Sequence, residues 1–258
     1  MDSAAVARIE EASLNATTVL EQQLYRGWLV RWAPSAAKRA RSINILSPSA
    51  VALDERLEYV ASVYERARLP LIFRLTHACP DPALEPELEK RGYQAYGRTL
   101  VMTVPLDDIE SNDGASTHLR LYETDVETFA REVGKMKGAS APYVAEHAQR
   151  LAAIAVPKRP LLAYSDNVCV GAALAVLDDA LVGVFDVIAD ATLRRQGIAT
   201  ALLRSQFQDA ARRGARQAYL QVESGNDAAH RLYERFGFTH HHDYWYRSLG
   251  GEQTAQAH

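Results

Sequence analysis

Apolar residues recur at spacings of three and four in some stretches of the chain and alternate in others, and the two periods predict a succession of helices and strands. Residues 5–14 read as a short helix, and 24–32 as a strand in which Trp28, Val30 and Trp32 share one face. After a small strand at 43–46, Leu53, Leu57, Val60, Ala61 and Tyr64 form the apolar stripe of a helix. Asp54 and Glu55 stand in its first turn and Arg66 and Arg68 in its last, as the helix dipole favours, and Pro70 stops it. A buried strand at 71–75, a helix at 83–91 ended by Gly92, and a strand at 96–104 follow.

Residues 106–117 contain Asp107-Asp108 and Ser-Asn-Asp-Gly-Ala-Ser and have linker composition. Beyond them the same alternation resumes. A strand at 118–122 leads to a helix with Val126, Phe129, Val133 and Met136 on one side, preceded by the capping-box pattern of Thr124 and Glu127 and ended by Gly138. A helix at 142–154 and strands at 161–164, 168–177 and 182–188 come next. A strand at 218–222 precedes a helix opened by Asn226, carrying Ala229, Leu232, Tyr233 and Phe236 and closed by Gly237. The whole predicts an α/β protein.

The two halves are in register with each other. Leu-Glu-Lys-Arg-Gly-Tyr at 88–93 mirrors Tyr-Glu-Arg-Phe-Gly-Phe at 233–238, and with the same offset of 145 residues Leu53 falls on Ile198, Leu57 on Leu202 and Leu75 on Leu220. The chain therefore reads as a tandem repeat: a first unit at 1–105, a linker at 106–117, a second unit at 118–249 and a disordered tail at 250–258.

Candidate chemistry lies in the second unit. Between the strand at 182–188 and the next helix stand Arg194, Arg195, Gln196, Gly197, Ile198 and Ala199. The first N–H groups of a helix lack intrahelical partners and carry the positive end of its dipole, so a glycine-containing loop with two arginines there builds an anion site. The first unit lacks this chemistry, because Ser49, Ala52 and Asp54 stand where the second has Arg194, Gly197 and Ala199.

Composition narrows the partners. A net charge of −3 gives no global reason to expect nucleic acid, and no apolar run reaches membrane-spanning length. Cys79 and Cys169 are far apart and show no metal spacing, which points to reduced thiols in a cytoplasmic protein. His147 and the run His240-His241-His242 are the other metal candidates, but consecutive histidines cannot all face one ion; a solvated strand end accounts for the run, and no metal is expected.

Arg-x-x-Gly-x-Ala followed by Leu202-Leu203, together with the later run Leu-Gln-Val-Glu-Ser-Gly-Asn…Ala-Ala…Leu-Tyr-Glu-Arg-Phe-Gly-Phe, resembles the two ordered signatures of the GNAT N-acetyltransferase superfamily, and this half is similar to ribosomal-protein N-terminal acetyltransferases. The resemblance implies two tandem GNAT-like units, each a mixed, mostly antiparallel sheet flanked by helices, with a degenerate first copy. It implies acetyl-CoA as co-substrate, its pyrophosphate on Arg194, Arg195, Gln196, Gly197, Ile198, Ala199 and Thr200, its pantetheine arm along Val187, Ile188 and Ala189, and a further contact from Asn226. It also implies that Tyr233 donates a proton to the leaving thiolate. The acceptor is then a primary amine of a small molecule, amino acid or peptide, and the protein a monomer or homodimer. The matching position of the usual basic glutamate is Gln221, which cannot take a proton; Glu223, on the same strand face, Asp186, ending the preceding strand, and solvent are the alternatives. Gln221 and the inert first unit also leave open a non-catalytic acyl-CoA sensor or interaction module.

Overall fold

A turn at Arg26 and Gly27, both with positive φ, splits the strand expected at 24–32 into a hairpin of β1 (Gln22–Tyr25) and β2 (Trp28–Arg31). The computed structural model describes residues 2–109, 119–193 and 195–252, so Arg194, His118, most of the expected linker and residues 253–258 lie outside the described residues. Helix α1 (Ser3–Asn15) precedes the hairpin; β3 (Ile43–Ile45), α2 (Leu53–Ala67), β4 (Phe73–Thr76), α3 (Leu84–Lys90) and β5 (Tyr93–Pro105) follow it. The second half comprises β6 (Arg120–Glu123), α4 (Val126–Lys137), α5 (Ala141–Ala153), β7 (Lys158–Ser165), β8 (Val168–Asp178), β9 (Leu181–Ala189), α6 (Ile198–Arg212), β10 (Gln217–Glu223), α7 (Asp227–Glu234) and β11 (Thr239–Leu249). Asp125, rather than the expected Thr124, caps α4 by accepting from the Thr128 N–H at 2.7 Å.

The strands form one mixed sheet in the order β1-β2-β3-β4-β11-β5-β10-β9-β8-β7-β6. The pairs β3–β4 and β9–β10 are parallel; the others are antiparallel. Strand β5 of the first half thus lies between β10 and β11 of the second, and β11 lies between β5 and β4 of the first. The sequence offset recurs in the elements, since moving the bounds of α2 by 145 residues gives those of α6. Arg98 on β5 and Asp243 on β11 have that same separation and face each other, with Nε donating to Oδ2 at 3.0 Å. Each half keeps its own apolar core beside the shared strands, around Trp28, Phe73 and Leu88 in the first and Val182, Leu203 and Phe207 in the second.

The histidine run is a solvated strand end only in part: His240 is exposed and His241 half-buried. β11 crosses the middle of the sheet, and His242 is fully buried with Nε2 donating to Glu10 Oε1 at 2.8 Å. Arg74 donates to both oxygens of the same carboxylate, the Nη2–Oε1 bond being 3.1 Å, and stacks on Tyr244 at 3.7 Å. Burial alone would raise the Glu10 pKa, but Arg74 and His242 outweigh it and hold the carboxyl at about 2. A depressed carboxylate stabilises the fold above its unfolded pKa, near 4.5, and this contribution is lost as the pH falls toward 2. Glu10→Gln is expected to cost about 3–5 kcal/mol at pH 7, because it strands a buried guanidinium. Denaturant melts should show that cost shrinking below pH 4.5; an equal cost at pH 7 and pH 3 would contradict this origin.

Candidate active site

Strands β9 and β10 pair only from Leu181 and Gln217 to Val184 and Leu220. Beyond that point a bulge opposite Ala172 and Leu174, with Asp186 at φ +46°, carries β9 along β8 and away from β10. The splay opens a cleft of about 480 Å³ between Phe185–Ile188 and Gln221–Glu223. Asn226, Ala229 and Tyr233 line it from the α7 region, and Tyr244 and Tyr246 from β11.

The helix α6 begins beside the end of β9. Gly171 lets it sit close, since a Cβ there would lie 2.5 Å from Ile198 Cγ2 and 3.0 Å from the Ile188 carbonyl. Within the loop, Arg195 and Gly197 have φ of +66° and +77°, and Asp190 Oδ1 accepts from the Thr192 N–H at 2.8 Å. No side chain among the described residues caps α6. Arg195, Gln196 and Gly197 are exposed, Ala199 and Thr200 half-buried, and Ile198 is packed into the core. The donors at this helix end therefore meet a left-handed, exposed turn, which suits a bulky anion.

Among the expected site residues, Asp186, Val187, Ile188, Glu223, Asn226 and Tyr233 share the cleft, while Ala189 and the loop 195–200 are not among its lining. Asn226 caps α7, accepting from the Ala229 N–H at 3.1 Å, so its helix-cap role is structural whatever else it binds. Tyr233 is 8% exposed and packs edge-on to Phe238; its hydroxyl makes no hydrogen bond among the described residues. Burial pushes that phenol up to about 12.

The two expected bases differ in their surroundings. His147 Nε2 donates to Asp186 Oδ2 at 2.9 Å, and Lys137 Nζ lies 3.1 Å from Oδ1. Burial would raise the Asp186 pKa, yet the His147 hydrogen bond and the Lys137 charge overcome it and hold the carboxyl well below the usual range. That pairing makes Asp186 a poor proton acceptor. Glu223 is exposed at the cleft and has no ion-pair partner among the described residues. Gln221 is held from both sides: it accepts from Arg39 and donates through Nε2 to Ser13 Oγ at 2.6 Å.

The first half supplies most of the rest of the wall. Ala36, Ala37, Lys38 and Arg39 line the cleft, with Gly97 and Thr99 of β5. Sequence reading missed them; residues 34–41, a connection that carries Lys38, Arg39 and Arg41, have no local pattern that points to a partner in the second half. Among the described residues no group of three or more His, Cys, Asp and Glu side chains is placed to hold a metal, and no helix is long and apolar enough to cross a membrane.

Solved structures share this fold. A GCN5-related N-acetyltransferase from Kribbella flavida matches with a TM-score of 0.69 at 18% identity, over 94% of this chain and 94% of that one. One from Sphaerobacter thermophilus matches at 0.56 and 18% identity, over 96% and 93%. A tandem GNAT protein from the clavulanic acid biosynthesis pathway matches at 0.59 and 12% identity, over 81% and 75%. We found no curated protein whose sequence matches. A family model described as probable histone acetyltransferase Rv0428c C-terminal matches residues 3–247, nearly the whole chain, and the protein belongs to that acetyltransferase family.

Proposed function

We propose that this protein moves an acetyl group from acetyl-CoA directly to a primary amine of a small molecule, amino acid or peptide. The observation that carries the reading is the splayed β9–β10 cleft, which holds Glu223 and Tyr233 and lies beside the uncapped start of α6. Backbone N–H groups of the loop 195–200 would hold the diphosphate, and the edge of β9 at Val187–Ala189 would pair with the amide-bearing arm. Acetyl-CoA supplies an acyl group activated as a thioester. The chain's own contribution is to align the amine with it, to take a proton from the ammonium through Glu223 and to offer one from Tyr233. Asp186 positions the bulge through His147 and Lys137.

We read the first half as a degenerate copy of the second that has exchanged one strand with it. Its loop before α2 has no counterpart of Gly197: Ala52 sits at φ −54°, and Asp54 is exposed and bonded to Arg91 at 2.8 Å. The cysteines are free, consistent with a cytoplasmic setting. Gln221, locked by Arg39 and Ser13, favours the second reading, a sensor that binds acetyl-CoA without turnover.

Release of CoA thiol across a panel of amino acids, peptides with free N-termini, lysine side chains and small amines separates the two. Turnover with any amine supports the enzyme; binding with no turnover across the panel supports the sensor. For the active acceptor, Glu223→Gln is expected to lower kcat/KM about 10²-fold at pH 7. Activity should partly recover at alkaline pH, where more amine is already neutral. A wild-type rate in this variant would assign the proton to solvent.

A further inference from the structure

A second cavity, about 690 Å³, is lined only by residues of the first half. It opens where parallel β3 and β4 stop pairing after Asn44 and Arg74, as β9 and β10 do after Val184 and Leu220. Helix α1 contributes Glu10 and Leu14 to it, and Leu24, Leu29, Ile45 and Leu46 make an apolar wall. Leu24 and Leu46 are 75% and 46% exposed, which leaves an apolar lip in contact with solvent.

The charged lining of this cavity is Glu10, Glu11, Arg31 and Arg74, and Arg31 makes no ion pair among the described residues. Arg31 lines it and is only 3% exposed. Its Nε donates to Gln22 Oε1 at 3.0 Å and its Nη2 to the Leu14 carbonyl at 3.1 Å, while Nη1 has no partner among the described residues. Both acceptors are neutral. Of the two carboxylates in the lining, Glu10 is already shared by Arg74 and His242, and Glu11 is exposed and lies 3.9 Å from Arg8. The end of α1 eases the cost of the Arg31 charge through its dipole, but a helix terminus carries only a fraction of a unit charge. Burial, and then the Arg74 charge, push this guanidinium down to about 10, the direction expected of a cation that lacks a counter-charge.

We infer that the first-half cavity binds a monocarboxylate with an apolar chain, its carboxylate paired with Arg31 and its chain lying along Leu29, Ile45 and Leu46. A guanidinium matches a planar carboxylate, and Nη1, buried and without a partner among the described residues, is the donor left to meet it. The aliphatic wall suits a chain of several methylene groups. A diphosphate does not suit the place, because Glu10 and Glu11 line it, no helix N-terminus does, and the loop before α2 has no left-handed residue. The inference is independent of the acetyl-transfer reading.

Calorimetry on the full chain with sodium octanoate, below its micelle concentration, is the test, with acetate and 1-octanol as controls. Octanoate should bind at least tenfold more tightly than either, and saturating CoA should not displace it. Arg31→Met should remove the advantage of octanoate over 1-octanol. Should that variant fail to fold, Leu46→Trp, at the exposed lip, should weaken octanoate at least tenfold with the melting temperature retained. Equal binding of 1-octanol and octanoate, displacement by CoA, or unchanged octanoate affinity in either folded variant would overturn the assignment.

Discussion

Gly197→Glu is expected to abolish acetyl-CoA binding while the protein stays folded. At a hundred to a thousand times its dissociation constant, acetyl-CoA should stabilise the wild type by about 3–4 kcal/mol. The glutamate has room, since a Cβ at Gly197 meets nothing within 4 Å, so the fold has no steric reason to fail. Two other effects act on the site. The φ of +77° is strained for any residue with a Cβ, at roughly 1–2 kcal/mol, and a carboxylate at the start of α6 opposes a diphosphate. Gly197→Ala separates them, because it keeps the strain and omits the charge; it should weaken binding without eliminating it. Calorimetry should also give one CoA per chain, as the α2 loop of the first half has the wrong charge and backbone. A CoA-dependent thermal shift that survives Gly197→Glu would remove the loop from cofactor binding.

Local features carried much of this site into the sequence. The turn before α6 depends on a glycine within one short segment, and the cap of α7 on Asn226 three residues before its bonding partner, so both were legible from spacing alone. The cleft's opposite wall was not. Gln221 reaches Arg39 and Ser13 across 182 and 208 residues of chain, and no periodicity encodes a contact at such distance. The repeat offset likewise gave the order of the elements but not the exchange that places β5 between β10 and β11. Strand pairing is chosen by packing of whole faces, and either half's final strand offers the same alternation to either neighbour.

Asp186 shows a related limit. Its place at the end of an apolar strand marks it as a candidate base, and it does reach the cleft. What decides its chemistry is the partner His147, which the sequence offers only as a metal candidate and which the fold buries on α5. A carboxylate already bonded to an imidazole and an ammonium orients a bulge better than it accepts a proton. Glu223, less enclosed and unpaired among the described residues, keeps that capacity.

Tyr233→Phe is expected to lower kcat about 10²-fold with melting temperature and acetyl-CoA affinity almost unchanged. The hydroxyl has no hydrogen-bond partner among the described residues, so its removal strands no buried group, and the ring keeps its contact with Phe238. Its pKa of about 12 keeps it protonated across the working range but makes it a weak acid toward a thiolate whose own thiol, by comparison with cysteine, titrates near 8.5. Full transfer is then uphill, and the hydroxyl acts chiefly by hydrogen bonding as negative charge grows on sulfur. This places the effect at the lower end of the 10²–10⁴ range for general acids. It should fall on kcat and kcat/KM alike, because the bond strengthens only in the transition state. A Tyr233→Phe protein that loses stability and binding together would make Tyr233 a core aromatic, and one with wild-type kcat would leave solvent as the proton source.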